Sequence, residues 1–250
     1  MCAEFTAGPP LEIEDLLRAV GLFRKILMKE PSQSQQHRIF PRTLAPIVIA
    51  SSDGRSLELL ESEFSLIPSW WNPEKAKAKT KNNRPVFATH NARIESIIEK
   101  PAFRDSFKKY HCLVPIQKFF ESSVFGDTFA GHRISIQSQQ VLLAAGCYSE
   151  WLNKTTGEII NSFTIITSNP NKQILSAGHD RMPIFLDVNS AGDWLYNLKK
   201  TPLQMKESLL ESNFNKKLRF EIAIDRLLKA GWEKNAPLDK DIEELQRLAT

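Results

Sequence analysis

The stretch RISIQSQQVLLAAGC, residues 133–147, decides the fold class. From Arg133 to Ile136 polar and apolar side chains alternate, the period-two pattern of a half-buried strand. From Val141 to Cys147 the run is continuously apolar, which fits a strand covered on both faces. A second run, IINSFTIIT at 159–167, is dominated by β-branched residues, whose stiff side chains suit a pleated sheet. Working outward, Ala45 to Ala50 and Leu57 to Leu60, leading into Phe64 to Ile67, read as further strands. Leu16, Leu17, Val20, Phe23 and Leu27 fall at helical spacing and predict an amphipathic helix over 11–29. Helical pieces follow at Ala191 to Leu198 and, as an acidic closing helix, Asp239 to Leu248. Strands outnumber helices and no regular crossover helices separate them. The expected class is α+β, with mixed, mostly antiparallel β sheets and flanking helices. One domain over 2–250 is expected, its part after about residue 196 either integral or an appendage.

Composition narrows the classes. Of 250 residues, 42% are hydrophobic and 25% charged, as in ordinary globular chains. A disordered chain, a collagen and a disulfide scaffold are excluded. No run approaches the ~20 apolar residues of a membrane helix, and the start lacks a basic region followed by an apolar signal core. The expectation is an intracellular protein without a membrane partner, in the cytoplasm or nucleoid of a bacterium or the nucleus of a eukaryote. The 33 Lys and Arg against 29 Asp and Glu leave a net charge of +4, which favours a polyanion only if clustered on one face. Cys2, Cys112 and Cys147 form no Cys-x-x-Cys pair, so free thiols and no structural zinc are expected. No metal or organic cofactor is called for, and a monomer is expected.

Chemistry could enter at several points. Removal of Met1 would expose on Cys2 an α-amino group and a thiol on adjacent carbons. Both are partly nucleophilic near neutral pH, with reference pKa values of roughly 8 and 8.5. Together they can condense with an aldehyde, the amine as an imine and the thiol closing a thiazolidine. Alternatively the thiol could be an amidase nucleophile with the amine as its base, or a cysteine at this position by chance. Trp70 and Trp71 follow the turn residues Pro68 and Ser69 and precede Lys75, Lys77, Lys79, Lys81 and Arg84. Aromatics beside cations suit stacking on unpaired bases while phosphates are neutralised; a surface loop with one anchoring tryptophan fits equally.

Asn91 and Arg93, followed by Glu95 and Arg104, offer directed donors for phosphates or a carbonyl oxygen. Helix capping and surface ion pairs would use the same residues. Glu121, after Phe119 and Phe120, is placed where desolvation would raise a carboxyl pKa toward useful proton transfer, or it pairs with an arginine. His179, in Gly178-His179-Asp180-Arg181-Met182-Pro183, can titrate near neutral pH as acid or base. Cys112 reads as a small buried hydrophobe.

In this order these features resemble the SRAP family (SOS response-associated peptidase), over roughly residues 2–195. The resemblance rests on Cys2, the Pro68-Ser69-Trp70-Trp71 loop, Asn91-Ala92-Arg93-x-Glu95, Cys112-Leu113-Val114-Pro115 with Phe119-Phe120-Glu121, and His179-Asp180-Arg181-Met182-Pro183. It implies a pseudo-barrel with a positive groove for single-stranded DNA. It also implies a covalent thiazolidine link between the mature N-terminal cysteine and the ring-opened aldehyde of an abasic site, an activity with lyase-like and autopeptidase aspects. Carried onto this chain, Cys2 is the nucleophile and Asn91 orients the opened sugar. Glu121 positions the α-amino group and shuttles its protons, and His179 assists ring opening and reversal. Trp70 and Trp71 stack on bases; Arg93, Arg104, Thr167 and Arg181 contact phosphates.

The sequence departs from the family at four places. Ala3 and Glu4 follow Cys2 where Gly-Arg is common, Lys118 stands for a glycine, Ser122 for a tryptophan, and Gly178 for an aliphatic residue. Glu4 is expected to remove a phosphate contact and to add repulsion. Two other classes compete with the crosslinker: a thiol peptidase or amidase using Cys2, and a non-covalent single-stranded DNA-binding module. The tryptophans and the basic run favour DNA.

Overall fold

A computed structural model describes residues 4–8, 10–19, 26–28, 38–52, 54, 56–72, 88–122, 132–154, 156–176, 179–196, 199–212 and 218–227. The first half contributes β1 (Phe5–Ala7), α1 (Pro10–Ala19), β2 (Ile26–Met28), β3 (Arg38–Ile39), β4 (Leu44–Ala50), β5 (Leu57–Phe64), β6 (Asn91–Arg93) and α2 (Arg104–Lys109). Then come β7 (His111–Ser122), β8 (His132–Leu152), β9 (Ile159–Ser168), α3 (Lys172–Ser176), β10 (Met182–Pro183), β11 (Phe185–Leu186), α4 (Val188–Tyr196), α5 (Pro202–Leu210) and β12 (Arg219–Leu227).

The strands form one mixed sheet. β8, β9, β5, β4 and β7 are neighbours in that order, and the pairing of β7 with β8 closes them into a ring. Among the described residues, only β2 on β5, β5 on β9 and β6 on β9 are parallel. The α+β class with mostly antiparallel pairing is therefore observed, with few helices.

Alternation along each ring strand explains the apolar runs. Ile47, Val114, Leu142, Ala144, Phe163 and Ile165 belong to one buried cluster, inside the ring. The intervening Val48, Leu113, Leu143, Ala145 and Ile166 belong to a second, which covers the outside together with Ile13 and Leu17 of α1, Phe107 of α2, Trp194 of α4 and Met205 of α5. A strand buried on both faces has no polar positions to show, so Val141 to Cys147 reads as unbroken. Gly146 within it is required by close approach. A Cβ there would lie 2.8 Å from both Cys112 Sγ on β7 and the Thr164 carbonyl on β9.

Some expected boundaries are corrected. The two runs at 133–136 and 141–147 are one strand, β8, held along its length by β7 across a register shift between Ile116 and Lys118. The expected helix over 11–29 ends at Ala19, and Leu27 instead lies on β2, in parallel register with Glu58. A sheet edge that supplies backbone partners outweighs a helical spacing of leucines. Val20, Phe23 and the expected helix at 239–248 lie outside the described residues. Residues past 200 include α5, begun by Thr201 in a capping box with Gln204. They also include β12, antiparallel to β8, with Leu218 and Phe220 buried in the interior cluster. Among the described residues, no helix is long and apolar enough to cross a membrane.

Candidate active site

Aromatic packing brings the N-terminal strand to the site. Phe5 on β1 pairs with Phe119 on β7, and the Phe120 N–H donates to the Glu4 carbonyl at 3.0 Å. The chain at Glu4 is thus held beside Phe120, one residue from Glu121. The Phe5 ring meets Phe64 edge-on at 5.2 Å, and Phe64 meets His90 at 5.7 Å. His90 immediately precedes Asn91, so one aromatic chain ties the N-terminal strand to the Asn91 segment. Cys2 itself lies outside the described residues.

Glu121 and His179 are brought together across the fold. Glu121 stands near the end of β7; His179 follows α3, its backbone N–H donating to the Ile174 carbonyl at 3.2 Å. Glu121 is buried and His179 nearly so, with His179 Nδ1 3.9 Å from Glu121 Oε2. Among the described residues His179 Nε2 has no hydrogen-bond partner. Burial, then the positive charge of the chain's amino terminus, push the His179 pKa down to about 4 against a small opposing effect of Asp180. The imidazole is therefore neutral near pH 7 and carries a free lone pair. The same two causes, in the same order, lower His90.

Asn91 opens β6, opposite Ile165 on β9, and is half-buried. With His90, Arg93, Lys100 and Phe103 it lines an open cleft of about 350 Å³. Arg93 is exposed there. Trp70 is 48% exposed, and its indole Nε1 donates to the carbonyl of Pro101, another lining residue, at 2.9 Å. Trp71 is half-buried; its carbonyl accepts from Trp151 Nε1 at 2.9 Å. The two indoles meet edge-to-face at 6.3 Å. The lysines at 75–81 and Arg84 lie outside the described residues.

Of the other expected phosphate contacts, Arg104 is exposed on α2, where its Nε lies 3.6 Å from Asp105. Thr167 is fully buried, and Arg181 is only 7% exposed. The Arg181 guanidinium grips Glu95 with two bonds, at 2.8 and 3.0 Å, and donates to the Thr167 carbonyl at 2.7 Å. Glu95 feels burial first, which would raise its carboxyl, but the hydrogen bonds and charge of Arg181 prevail and hold it below its ordinary value. In this arrangement Arg181 ties the His179 loop to β9 and to the turn after β6.

Glu4 corrects the expectation of repulsion. It is 2% exposed, and its carboxylate accepts from Arg38 Nη1 at 2.7 Å, so its charge is matched inside the protein. Arg38 carries no local sign of this role, because the contact depends on β3 pairing with β1. Cys112 and Cys147 are buried thiols pushed well above their ordinary pKa by burial, which makes them inert packing groups. Among the described residues, no three His, Cys, Asp or Glu side chains gather as metal ligands.

Known proteins resemble this chain in sequence and in fold. The family described as "SOS response associated peptidase (SRAP)" matches residues 1–225. Abasic site processing protein YoqW of Bacillus subtilis is 29% identical over 212 residues, 84% of this chain and 87% of that protein. Abasic site processing protein YoaM of the same organism is 33% identical over 165 residues, 66% of this chain and 67% of that one. A crystal structure of a protein from Bacteroides thetaiotaomicron superposes with a TM-score of 0.68 at 25% identity, covering 97% of this chain and 99% of that one.

Proposed function

From a chain that belongs to the SOS response associated peptidase (SRAP) family, we propose a protein that captures abasic sites in single-stranded DNA. Capture is covalent: Cys2, freed of Met1, forms a thiazolidine with the ring-opened sugar. The observation that carries this reading is the buried Glu121–His179 pair at 3.9 Å beside the strand leading from the N-terminus. The names of YoqW and YoaM as abasic site processing proteins support the substrate class.

The steps balance without a co-reactant. The sugar opens when its anomeric hydroxyl loses a proton and the ring oxygen gains one; His179 Nε2, without a hydrogen-bond partner among the described residues, is the group assigned to that transfer. The Cys2 amine adds to the aldehyde carbon, and water leaves as the imine forms. The thiol then adds to the imine carbon, its proton passing to the nitrogen. Glu121 relays protons to and from the amine. The net change is addition of the protein with loss of one water. Asn91 orients the opened sugar from the cleft it lines with Arg93. Arg93 and Arg104, both exposed, neutralise phosphates, while Trp70 offers a stacking face. Arg181 and Thr167, being buried, serve by holding the His179 loop.

The test is denaturing electrophoresis of the protein with a single-stranded oligonucleotide carrying one abasic site, beside Cys2→Ala. The expected result is a heat-stable band with wild type alone, its mass equal to both components less one water, while Cys2→Ala still binds DNA. A protein shown by mass to lack Met1 that forms no such band overturns the covalent reading. Cleavage of peptides through Cys2 would then favour an amidase, and unaltered DNA binding a non-covalent module.

A further inference from the structure

We propose that the ion pair between Glu4 and Arg38 is a latch that fixes the register of the N-terminal strand and so sets where Cys2 meets Glu121. The inference deepens the reading of Cys2 as the nucleophile and rests on it. Glu4 and Arg38 are positioning residues; neither touches the reacting atoms.

β1 has only three residues, and its pairing with β7 shifts register between Thr6 and Ala7. So short a ladder near a terminus frays readily. Glu4 adds two further attachments at the strand's start. Its carbonyl accepts the Phe120 N–H at 3.0 Å. Its carboxylate, 2% exposed, accepts from Arg38 Nη1 at 2.7 Å. Arg38 sits opposite Thr6 in the β1–β3 pairing, and its guanidinium carbon lies 4.0 Å from the centre of the Phe120 ring. The carboxylate, the guanidinium and the Phe120 ring form one stack spanning β3, β1 and β7.

Charge makes this stack selective for register. A one-residue slip moves every side chain of a strand to its other face. The other face of β1 carries Phe5, against Phe119 and Phe64. A slip would drive the Glu4 carboxylate among those rings without a cation, and an unpaired buried charge is strongly disfavoured. Cys2 is two residues away, within about 7 Å of chain. A slip shifts the chain at Glu4 by about 3.3 Å and carries Cys2 with it, beyond the tolerance of a reaction that needs its atoms about 3–3.5 Å apart. At the position where the family pattern carries a cation, this chain has an acid with an internal partner.

The test uses the full chain, Met1 removal verified by mass, with the single-stranded abasic oligonucleotide in excess and single-turnover crosslinking rates. Glu4→Gln and Arg38→Met lower the limiting rate about tenfold or more, with the half-saturating concentration within about twofold of wild type. Arg38→Lys, which keeps the charge, stays within about threefold of wild type in limiting rate. Unchanged limiting rates, a change confined to half-saturation, or Arg38→Lys as slow as Arg38→Met overturns the latch. Hydrogen exchange of the Phe120 amide in DNA-free protein is an independent reading. Glu4→Gln accelerates it about tenfold or more, and an unaltered rate overturns the latch whatever the DNA shows. If wild type forms no crosslink, the Cys2 reading fails, while the exchange result still decides the latch.

Discussion

Replacing Arg181 by methionine separates a structural strut from a phosphate contact. The guanidinium is 7% exposed and makes bonds of 2.8 and 3.0 Å to Glu95 and 2.7 Å to the Thr167 carbonyl. Methionine keeps much of the stem and removes the charge, so no buried cation is left behind. The Glu95 side chain is 49% exposed, so solvent replaces much of what it loses, and that half contributes only about 0.5–1 kcal/mol. The Thr167 carbonyl retains the Ile94 N–H at 3.0 Å, so it is weakened rather than orphaned, at about 1–1.5 kcal/mol. The expected loss is about 2 kcal/mol, a fall in melting temperature of about 4–8 °C for a chain of this size. Calorimetry of Arg181→Met reads it. Arg93→Met is the comparison: exposed on the cleft, it leaves stability within about 0.5 kcal/mol and flattens the salt dependence of single-stranded DNA binding by about 0.7 in log–log slope. Should Arg181→Met melt within about 1 °C of wild type and flatten the slope as Arg93→Met does, the strut reasoning is refuted.

Two further outcomes follow from the core and from the site. Gly146→Ala places a Cβ 2.8 Å from a backbone carbonyl that cannot rotate away; chemical denaturation should show a loss of about 1–3 kcal/mol, and a neutral result would mean that the β7–β8–β9 contact is looser than described. His179 is neutral when folded and mostly neutral when unfolded at pH 7, but its folded pKa of about 4 lies below the ordinary value of 6.5. As pH falls from 6.5 towards 4 the unfolded chain takes the proton first, so wild type loses stability relative to His179→Gln, by at most about 3–4 kcal/mol. A difference between the two that does not change with pH would contradict the buried, neutral imidazole.

Four of the long strands, and the motifs that hold the candidate site residues, could be read from the chain alone. Period-two alternation and β-branched runs are local properties, so β4, β5, β8 and β9 were legible from residues alone. The motif residues were legible for the same reason, because Asn91-Ala92-Arg93 and His179-Asp180-Arg181 are contiguous in the chain. Pairing between distant segments is not a local property. The parallel docking of Leu27 opposite Glu58 ended a helix that leucine spacing favoured. The tertiary fold sets Glu121 against His179, fifty-eight positions apart by number, at 3.9 Å. Burial likewise belongs to the tertiary structure: Arg93 and Arg181 are both arginines in charged motifs, yet one faces open solvent and the other is bound at both ends. Glu4 shows the point most plainly. As a letter beside Cys2 it signalled repulsion, and only the pairing of β1 with β3 brought Arg38 to neutralise it.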